Sequence, residues 1–334
     1  MAREAVRRGL RPLLAGRDEA AVSALAAELG LEFRVFDLGD GAGLQASIGD
    51  CRLVLHCAGP FSKTSRPMLE ACLAQGVHYL DISGEVAVFQ YAHAQSERAR
   101  RVDVLLLPGV GFDVVPSDCL AVSLVEALPA ATRLCLAFEA GGGASPGTAK
   151  TSVEGLAQGG LVRRGGELKR VPLAWKTRRI PFAHAERSAV TIPWGDVYTA
   201  HVSTGIPDIE VYMALPASAI RKLRRLRWLR PALALAPVQA VLKRVVASRI
   251  KGPSGQKRAE TRSELWGEAT TADGRSVTAT MTTPNGYDLT VSAGLGIVAH
   301  LLENDVEGGF YTPSMLMGSG YAASLPGVTL RLDA

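Results

Sequence analysis

The chain has 334 residues, a length that predicts two domains of ordinary size. Hydrophobic residues make up 47% of the sequence and charged residues 21%, close to the average of soluble globular proteins. This composition excludes collagen-like, coiled-coil and wholly disordered chains. The formal net charge of +5 comes from one local excess of basic residues, since the rest of the chain is mildly acidic.

The cysteines and histidines form no pattern typical of a disulfide framework or a metal site. The first 21 residues contain no apolar run of signal-peptide length. We therefore expect a cytoplasmic protein with reduced thiols and without a structural or catalytic metal. The cysteines, which include no Cys-x-x-Cys pair, are Cys51, Cys57, Cys72, Cys119 and Cys135.

Short apolar runs alternate with helical patterns from residue 11 to residue 107, which indicates an α/β fold with a doubly wound parallel sheet. Asp18 is a predicted helix N-cap, and Gly30 and Gly76 are predicted helix ends. The strands are predicted at 10–16, 33–38, 52–59, 77–82 and 102–110, and the helices at 18–30, 63–75 and 86–101.

The pattern after Pro129 predicts a second domain of α+β class. Asp273-Gly274 is typical of a two-residue hairpin turn. We expect a Rossmann-like domain over 1–122, joined by a returning segment over 305–334, and an α+β substrate domain over 123–304. Strands are predicted at 133–140, 190–202, 208–215, 263–272 and 275–283, and helices near 148, over 217–249 and over 289–303.

The basic excess lies in one segment, because twelve Lys or Arg and no Asp or Glu occur between Met213 and Arg258. One interpretation of 217–251 is a surface helix that contacts a membrane surface or an acidic partner. The other is an amphipathic helix whose leucine face packs on the core. Nucleic acid is not expected, since no nucleic-acid-binding module accompanies the charge. Breaks at Arg230, Pro231 and Pro237 exclude a membrane-spanning helix.

The carboxyl ends of the predicted strands are rich in glycine and polar residues, and ligands of open parallel sheets bind at those ends. Arg17, just past the first predicted strand, is placed to meet a ribose 2′-phosphate, which favours NADP(H) over NAD. The candidate cofactor-binding residues are Gly16, Arg17, Asp37, Cys57, Ala58, Gly59, Pro60, Phe61, Gly84, Gly109 and Gly111.

Four residues near these ends are candidate catalytic groups: Asp81, Glu85, Asp113 and Tyr311. Each carboxylate has a structural alternative, since Asp81 and Glu85 could cap the next helix and Asp113 could stabilise a turn. The glycines at 141–143, which precede a predicted helix start, indicate either an anion site or a hinge.

Six motifs occur in order along most of the chain: LAGR, HCAGPFS, GVHYLDISGE, LLPGVGFDVVPSD, GGGASPGTAKT and GGFYTPSMLMG. In combination they resemble the saccharopine dehydrogenase-like oxidoreductases, a family that includes saccharopine reductases and trans-acting enoyl reductases. The resemblance implies a Rossmann domain that holds NADP(H), a second domain that closes over the nicotinamide, and a C-terminal segment that returns to the first. It implies hydride transfer to a C=C bond of enoyl, polyketide or lipid type, or to a C=N bond.

The chain departs from this pattern at its start, where the first strand and the glycine fingerprint of Rossmann domains are not found. Residues 1–8 look like the last turns of the helix that follows that fingerprint, so the chain begins about 20 residues late for a complete unit. We expect a strand to be missing between the strands ending at Gly16 and His56. The alternative function is therefore a catalytically silent binding or regulatory protein. A homodimer is a further expectation.

Overall fold

A computed structural model describes residues 1–141, 153, 155, 159–229, 233, 235–249 and 260–333 of the chain. It divides into two compact units. Unit 1 comprises Met1–Ser83, Ala87–Gly111 and Thr290–Tyr311, and unit 2 comprises Gly84–Val86, Phe112–Leu289 and Thr312–Ala334.

Unit 1 has the predicted alternation of strands and helices. The residues predicted to begin and end its helices are found at those positions. Asp18 caps a helix, because its Oδ1 accepts a hydrogen bond from the Ala21 amide at 3.1 Å. Gly30 and Gly76 end helices in the left-handed conformation. Its elements are α1 (Ala2–Arg7), β1 (Leu14–Gly16), α2 (Glu19–Leu29), β2 (Phe33–Val35), α3 (Gly41–Ile48), β3 (Leu53–His56), α4 (Phe61–Gln75), β4 (His78–Asp81), α5 (Val86–Ala94), α6 (Ser96–Arg101) and β5 (Leu105–Leu107).

The parallel strands of unit 1 form two separate sheets. One has the order β14-β5-β4-β3, where β14 is Gly309–Phe310, and the other consists of β1 and β2. No strand joins β1 to β3 among the described residues, as the sequence predicts. The core lies around β4 and β5, whose Leu80 and Leu106 are fully buried, whereas Phe33 and Val35 of β2 are each 42% exposed.

The helix predicted over 86–101 is two helices, α5 and α6, that meet at Gln95. The change of direction brings Ser96 to the edge of the sheet, where its hydroxyl accepts a hydrogen bond from the Phe310 amide at 3.1 Å. The break therefore coincides with a contact to a strand more than 200 residues away along the chain, which helical periodicity does not reveal.

Unit 2 is built on a sheet of nine strands. Its elements are α7 (Val115–Ala127), β6 (Ala131–Glu139), β7 (Gly160–Arg164), β8 (Glu167–Val171), β9 (Thr177–Pro181), β10 (Glu186–Thr191), α8 (Asp196–Thr204), β11 (Asp208–Ala214), α9 (Ala217–Leu226), a 3₁₀ turn (Arg227–Leu229), α10 (Ala236–Arg249), β12 (Arg262–Thr271), β13 (Ser276–Pro284), α11 (Gly286–Glu303, shared with unit 1), α12 (Pro313–Met317), α13 (Tyr321–Ser324) and β15 (Thr329–Asp333).

The main path of this sheet is β15-β13-β12-β6-β11-β10-β9, with β7 paired to β11 and β8. Most neighbours are antiparallel as predicted, but β6 and β11 are parallel. Helix α7 packs on β12 at Gly267, where a Cβ would lie 2.5 Å from Leu124 Cδ1. The glycine is thus required by the close approach of the helix.

Two predictions in unit 2 are wrong in detail. The strand predicted over 190–202 ends at Thr191, because Pro193 and Gly195 interrupt it and α8 begins at Asp196. The turn at Asp273-Gly274 has three residues instead of two. The Thr271 amide donates to the Arg275 carbonyl, and Gly274 has a φ of +94°.

The units differ from the predicted domain limits. Helix α7 belongs to unit 2, where it packs on β12, and β15 of the returning segment pairs with β13 in the sheet of unit 2. The helix predicted near 148 and the glycines at 142–143 lie outside the described residues. No helix in the described ranges is both long and apolar enough to cross a membrane.

Candidate functional site

The end of β1 in unit 1 is shaped by Gly16 and presents Arg17. A Cβ at Gly16 would lie 2.7 Å from Val22 Cγ2, so the glycine lets α2 pack closely against the strand end. The Arg17 side chain is exposed. Asp37, after β2, is also exposed, and its Oδ1 accepts a hydrogen bond from the Gly39 amide at 2.7 Å. Arg17 is therefore available to an anion, whereas Asp37 stabilises its own turn.

The loop from Cys57 to Phe61 leads from β3 into α4. Cys57, Ala58 and Gly59 are exposed, while Pro60 and Phe61 are partly buried. The Thr64 hydroxyl donates to the Ala58 carbonyl at 2.6 Å and holds the loop over the start of α4. This part of the carboxyl edge is thus open and held in one conformation, as a cofactor-binding loop must be.

Asp81, at the end of β4, is fully buried. Its carboxylate accepts hydrogen bonds from the Tyr79 hydroxyl at 2.7 Å and from the Ser83 and Gly109 amides at 2.9 Å. Burial raises the pKa of Asp81 to about 6, although these hydrogen bonds lower it. The carboxylate ties the end of β4 to the loop after β5, which gives it the geometry of a positioning residue.

His56, the last residue of β3, is a buried imidazole that sequence reasoning did not single out. Its ring lies edge-on to Phe61, with 5.5 Å between the centroids, and is 5% exposed. Nε2 has no hydrogen-bond partner among the described residues. Burial lowers the pKa of His56 to about 4, so the ring is neutral at physiological pH.

Three further candidates of unit 1 lie at the same edge. Tyr311 follows β14 directly, and its amide donates to the Leu106 carbonyl at 3.0 Å, which places it beside the end of β5. Its side chain is partly buried. Gly109, with a φ of +82°, and Gly111 are both buried, so they shape the loop after β5. Gly111 allows the approach of Thr290, whose Cγ2 would lie 2.9 Å from a Cβ there.

In unit 2, Asp113 lies against the short segment 84–86. A Cβ at Gly84 would lie 2.9 Å from Asp113 Oδ2, so the glycine gives the carboxylate room at the backbone next to Glu85. The structure thus brings Gly84, Glu85 and Asp113 together. Burial raises the pKa of Asp113 to about 7, and the side chain remains partly accessible.

Three aromatic rings lie near the backbone of Asp113 in unit 2. The Trp194 indole nitrogen donates to the Asp113 carbonyl at 2.9 Å. The Phe138 ring lies 4.8 Å from the Trp194 ring and 6.2 Å from the Phe112 ring, measured between centroids. A carboxyl group with a pKa near neutrality beside apolar rings is a suitable proton donor. Trp194 and Phe138 were missed in the sequence. The Pro-Trp-Gly break after Thr191 was the available signal for Trp194.

Two more buried carboxylates lie deeper in unit 2. Asp196 Oδ1 accepts a hydrogen bond from the Ser117 hydroxyl at 2.8 Å. Asp118 accepts from the Ser203 hydroxyl at 2.7 Å and the Ser314 amide at 2.8 Å. Burial raises the pKa of both carboxyls. Because both are 0% exposed, they cannot contact a ligand, and they fix α7 and α8 instead.

The residues of unit 1 fit a dinucleotide in part. Arg17 suits a 2′-phosphate, and the accessible loop after β3 suits the remainder of the cofactor. The described residues do not include the glycine fingerprint that would seat a pyrophosphate at a helix N-terminus. The fit of unit 1 to a dinucleotide therefore depends on the residues at the carboxyl ends of its strands.

Comparisons with known proteins support this assignment. Residues 1–106 match the family described as "Saccharopine dehydrogenase NADP binding domain". A mouse protein named "Saccharopine dehydrogenase-like oxidoreductase" is 32% identical over 85 residues, which are 25% of this chain and 20% of that protein. A Mycobacterium leprae protein named "Trans-acting enoyl reductase" is 29% identical over 85 residues, with the same two shares. The match thus spans about a fifth of these relatives. It confirms the predicted resemblance.

The fold is shared with a solved structure over nearly the whole chain. Apo saccharopine dehydrogenase (L-Glu forming) from Saccharomyces cerevisiae superposes with a TM-score of 0.64 at 10% identity, covering 97% of this chain and 94% of the yeast chain. This confirms the predicted fold class, a Rossmann-like parallel sheet with a second α+β domain.

Proposed function

Because residues 1–106 match the saccharopine dehydrogenase NADP-binding domain family, we propose that the chain is an NADP(H)-dependent reductase. The proposal rests on Asp113, a partly accessible carboxyl group that lies against Gly84, with Trp194 bonded to its backbone carbonyl, and whose pKa burial raises to about 7. The same chain contains this carboxyl group and a segment that matches an NADP-binding domain family. A binding protein without chemistry would not need such a group.

The residues of unit 1 bind the cofactor in this proposal. Arg17 holds the 2′-phosphate through charge-assisted hydrogen bonds, and the loop 57–61 contacts the cofactor after β3. Asp81 keeps the loops after β4 and β5 in register through its three hydrogen bonds. When bound, the reduced nicotinamide supplies the hydride.

The residues of unit 2 supply the proton and the apolar surface. Reduction of an activated C=C bond forms a C–H bond from the hydride at one carbon and a second C–H bond from a proton at the other. Asp113 donates that proton from its neutral form and recovers it from water after product release. Glu85 and Tyr311 remain candidates for orienting the substrate.

We rank an unsaturated acyl or polyketide chain above an amino-acid imine as the substrate. Phe112 and Trp194 are partly exposed and offer apolar surface near Asp113, which suits a hydrocarbon chain. A saccharopine-type substrate carries several carboxylates and requires a concentrated set of arginines. The name of the mycobacterial relative, an enoyl reductase, agrees with this ranking.

The experiment is oxidation of NADPH by the full chain, offered a panel of 2-enoyl thioesters or an amino-acid imine and followed by nicotinamide absorbance. We expect turnover with an enoyl thioester. When the transferable hydrogen of NADPH is deuterium, the saturated product should contain one deuterium atom. Turnover with the imine alone would reverse the substrate ranking. Saturable NADPH binding without turnover of either class would favour the silent binding protein.

A further inference from the structure

We propose that α9, the 3₁₀ turn that follows it and the exposed valines of α10 in unit 2 dock the protein on the surface of an anionic lipid membrane. The proposal rests on a set of exposed cations, which no described carboxylate neutralises, next to large apolar side chains that are exposed. It is independent of the redox chemistry proposed above.

Helix α9 is anchored to the core by its apolar face. Ile220 is 5% exposed and packs with Ala174 and Val190, and Leu223 packs against the same cluster. This confirms the interpretation of α9 as an amphipathic helix on the core. The opposite face presents four exposed cations: Arg221, Lys222, Arg224 and Arg225.

Several apolar residues described beyond α9 are exposed. Trp228 is 87% exposed and Leu229 is 56% exposed in the 3₁₀ turn, and Leu235 is 56% exposed before α10. On α10, Val241 and Val245 are 59% and 40% exposed, and their spacing puts them on one face of the helix. Exposed tryptophan and leucine flanked by arginine is typical of segments that insert into the membrane interface.

The charge of this surface is not cancelled locally. In the part of the chain that the structure describes, no carboxylate forms an ion pair with the four exposed cations of α9. Arg224 donates to the Thr177 hydroxyl at 3.2 Å, and Arg227 donates to the Leu173 carbonyl at 2.6 Å, both neutral acceptors. The positive charge is therefore available to anionic headgroups, each cation near such a surface adding to binding.

A cavity adjoins this surface beside the 3₁₀ turn. It has a volume of about 280 Å³ and is lined by Arg170, Val171, Pro172, Leu173 and Arg227. A lining of two arginines and three apolar residues suits the phosphate of a lipid headgroup. The charge, the exposed ring of Trp228 with its aliphatic neighbours and this cavity together favour a lipid surface over an acidic protein, which would not need the exposed apolar side chains.

The test is flotation of the full chain with vesicles of phosphatidylcholine alone, or of phosphatidylcholine with phosphatidylserine at three to one. We expect binding to the anionic vesicles and none to the neutral ones, with a blue shift of tryptophan emission. R224A/R225A should weaken binding about tenfold or more. W228A should weaken it severalfold and abolish the blue shift. R133A/R331A, which removes the same charge from other exposed positions of unit 2, should bind like the wild type.

Circular dichroism and melting of each variant verify the fold. Absence of binding to anionic vesicles, or equal losses in R224A/R225A and R133A/R331A, would overturn the proposal. Binding to polyglutamate but not to vesicles would replace the membrane by an acidic partner. Self-association abolished by W228A, without vesicle binding, would assign the surface to a second copy of the chain. None of these outcomes depends on NADPH, so they are separable from failure of the reductase proposal.

Discussion

In the proposed reductase reaction, Asp113 is the residue on which the chemistry depends most. Asp113→Asn keeps the size of the side chain but removes the proton donor, so kcat/KM should fall by about 10²- to 10⁴-fold. In the wild type, the rate should decrease as pH rises through about 7, where the carboxyl loses its proton. This decrease should be absent from the residual activity of the variant. Glu167→Gln, at an exposed carboxylate of unit 2, is the control and should retain the wild-type profile.

The same substitution has a predicted effect on stability, measured by thermal melting at pH 4 and pH 8. Burial raises the folded-state pKa of Asp113 to about 7, so the folded protein keeps a proton that the unfolded chain releases near pH 4. The contribution of Asp113 to stability therefore falls as pH rises from about 4 to about 7. Asp113→Asn should gain stability relative to the wild type at pH 8 but not at pH 4. If the stability difference between Asp113→Asn and the wild type is the same at pH 4 and pH 8, the carboxyl is not buried enough to hold its proton.

We propose that Arg17 gives the chain its preference for NADP(H). Arg17→Ala removes a charge-assisted hydrogen bond worth about 1.5 to 3 kcal/mol, so NADPH affinity should fall about ten- to hundredfold while NADH affinity changes little. Fluorescence titration of both cofactors measures the two losses. Arg101→Ala, at an exposed arginine of α6, should change neither affinity. Equal losses for NADPH and NADH would show that Arg17 does not meet the 2′-phosphate.

At this scale, the sequence could place Arg17 and the loop 57–61 at strand ends, because both follow directly from the strand pattern. It could not separate the roles of Asp81 and Asp113, which both follow strands. Their difference arises from hydrogen bonds, since Asp81 accepts one from the Ser83 amide in its own loop and one from the Gly109 amide after β5, whereas Asp113 lies against Gly84. Trp194 escaped notice because its approach to Asp113 is a tertiary contact 81 residues apart.

Among the elements, the short strand β14 can lie beside β5 only because Gly308, the residue before it, has no side chain. A Cβ there would lie 2.7 Å from the Ala99 carbonyl oxygen, the Asp103 Cα and the Val104 nitrogen, and backbone atoms cannot easily give way. Gly308→Ala should therefore lower the free energy of unfolding by about 1 to 3 kcal/mol, as measured by urea denaturation.

Gly41→Ala is the matched control for this change. Gly41 begins α3 in the same unit and has nothing within 4 Å of a Cβ, so alanine should leave stability unchanged or raise it by up to about 1 kcal/mol. Equal stabilities of the two variants would contradict the role assigned to β14 in holding Tyr311 beside the end of β5.

Helices with strong caps were the elements best predicted from sequence. Asp18 and Gly30 limit α2 by local chemistry alone, and the structure places them as expected. Elements whose ends are set by distant partners were predicted less well. The break between α5 and α6 lies where Ser96 contacts β14. Helix α8 replaces part of a predicted strand because Pro193 and Gly195 interrupt the apolar alternation around them.

For the whole molecule, the pattern of predicted strands indicated two domains but did not determine their limits. The returning segment was assigned to the first domain as one piece, but β14 joins the sheet of unit 1 and β15 joins that of unit 2. Sequence alone cannot distinguish these pairings, since a strand's partner is decided by register and packing. The split between β1–β2 and β3–β4–β5–β14 was predictable, because the order of a doubly wound sheet requires a strand between them.

Isothermal titration of the full chain with NADPH, and separately with NADH, tests the central claim that the chain binds NADP(H) at the strand ends of unit 1. We predict saturable one-to-one binding of NADPH, about tenfold or more tighter than that of NADH. At a hundredfold excess over Kd, NADPH should also add about 2.7 kcal/mol to the free energy of unfolding. No saturable heat with NADPH, or equal or tighter binding of NADH, would contradict the account.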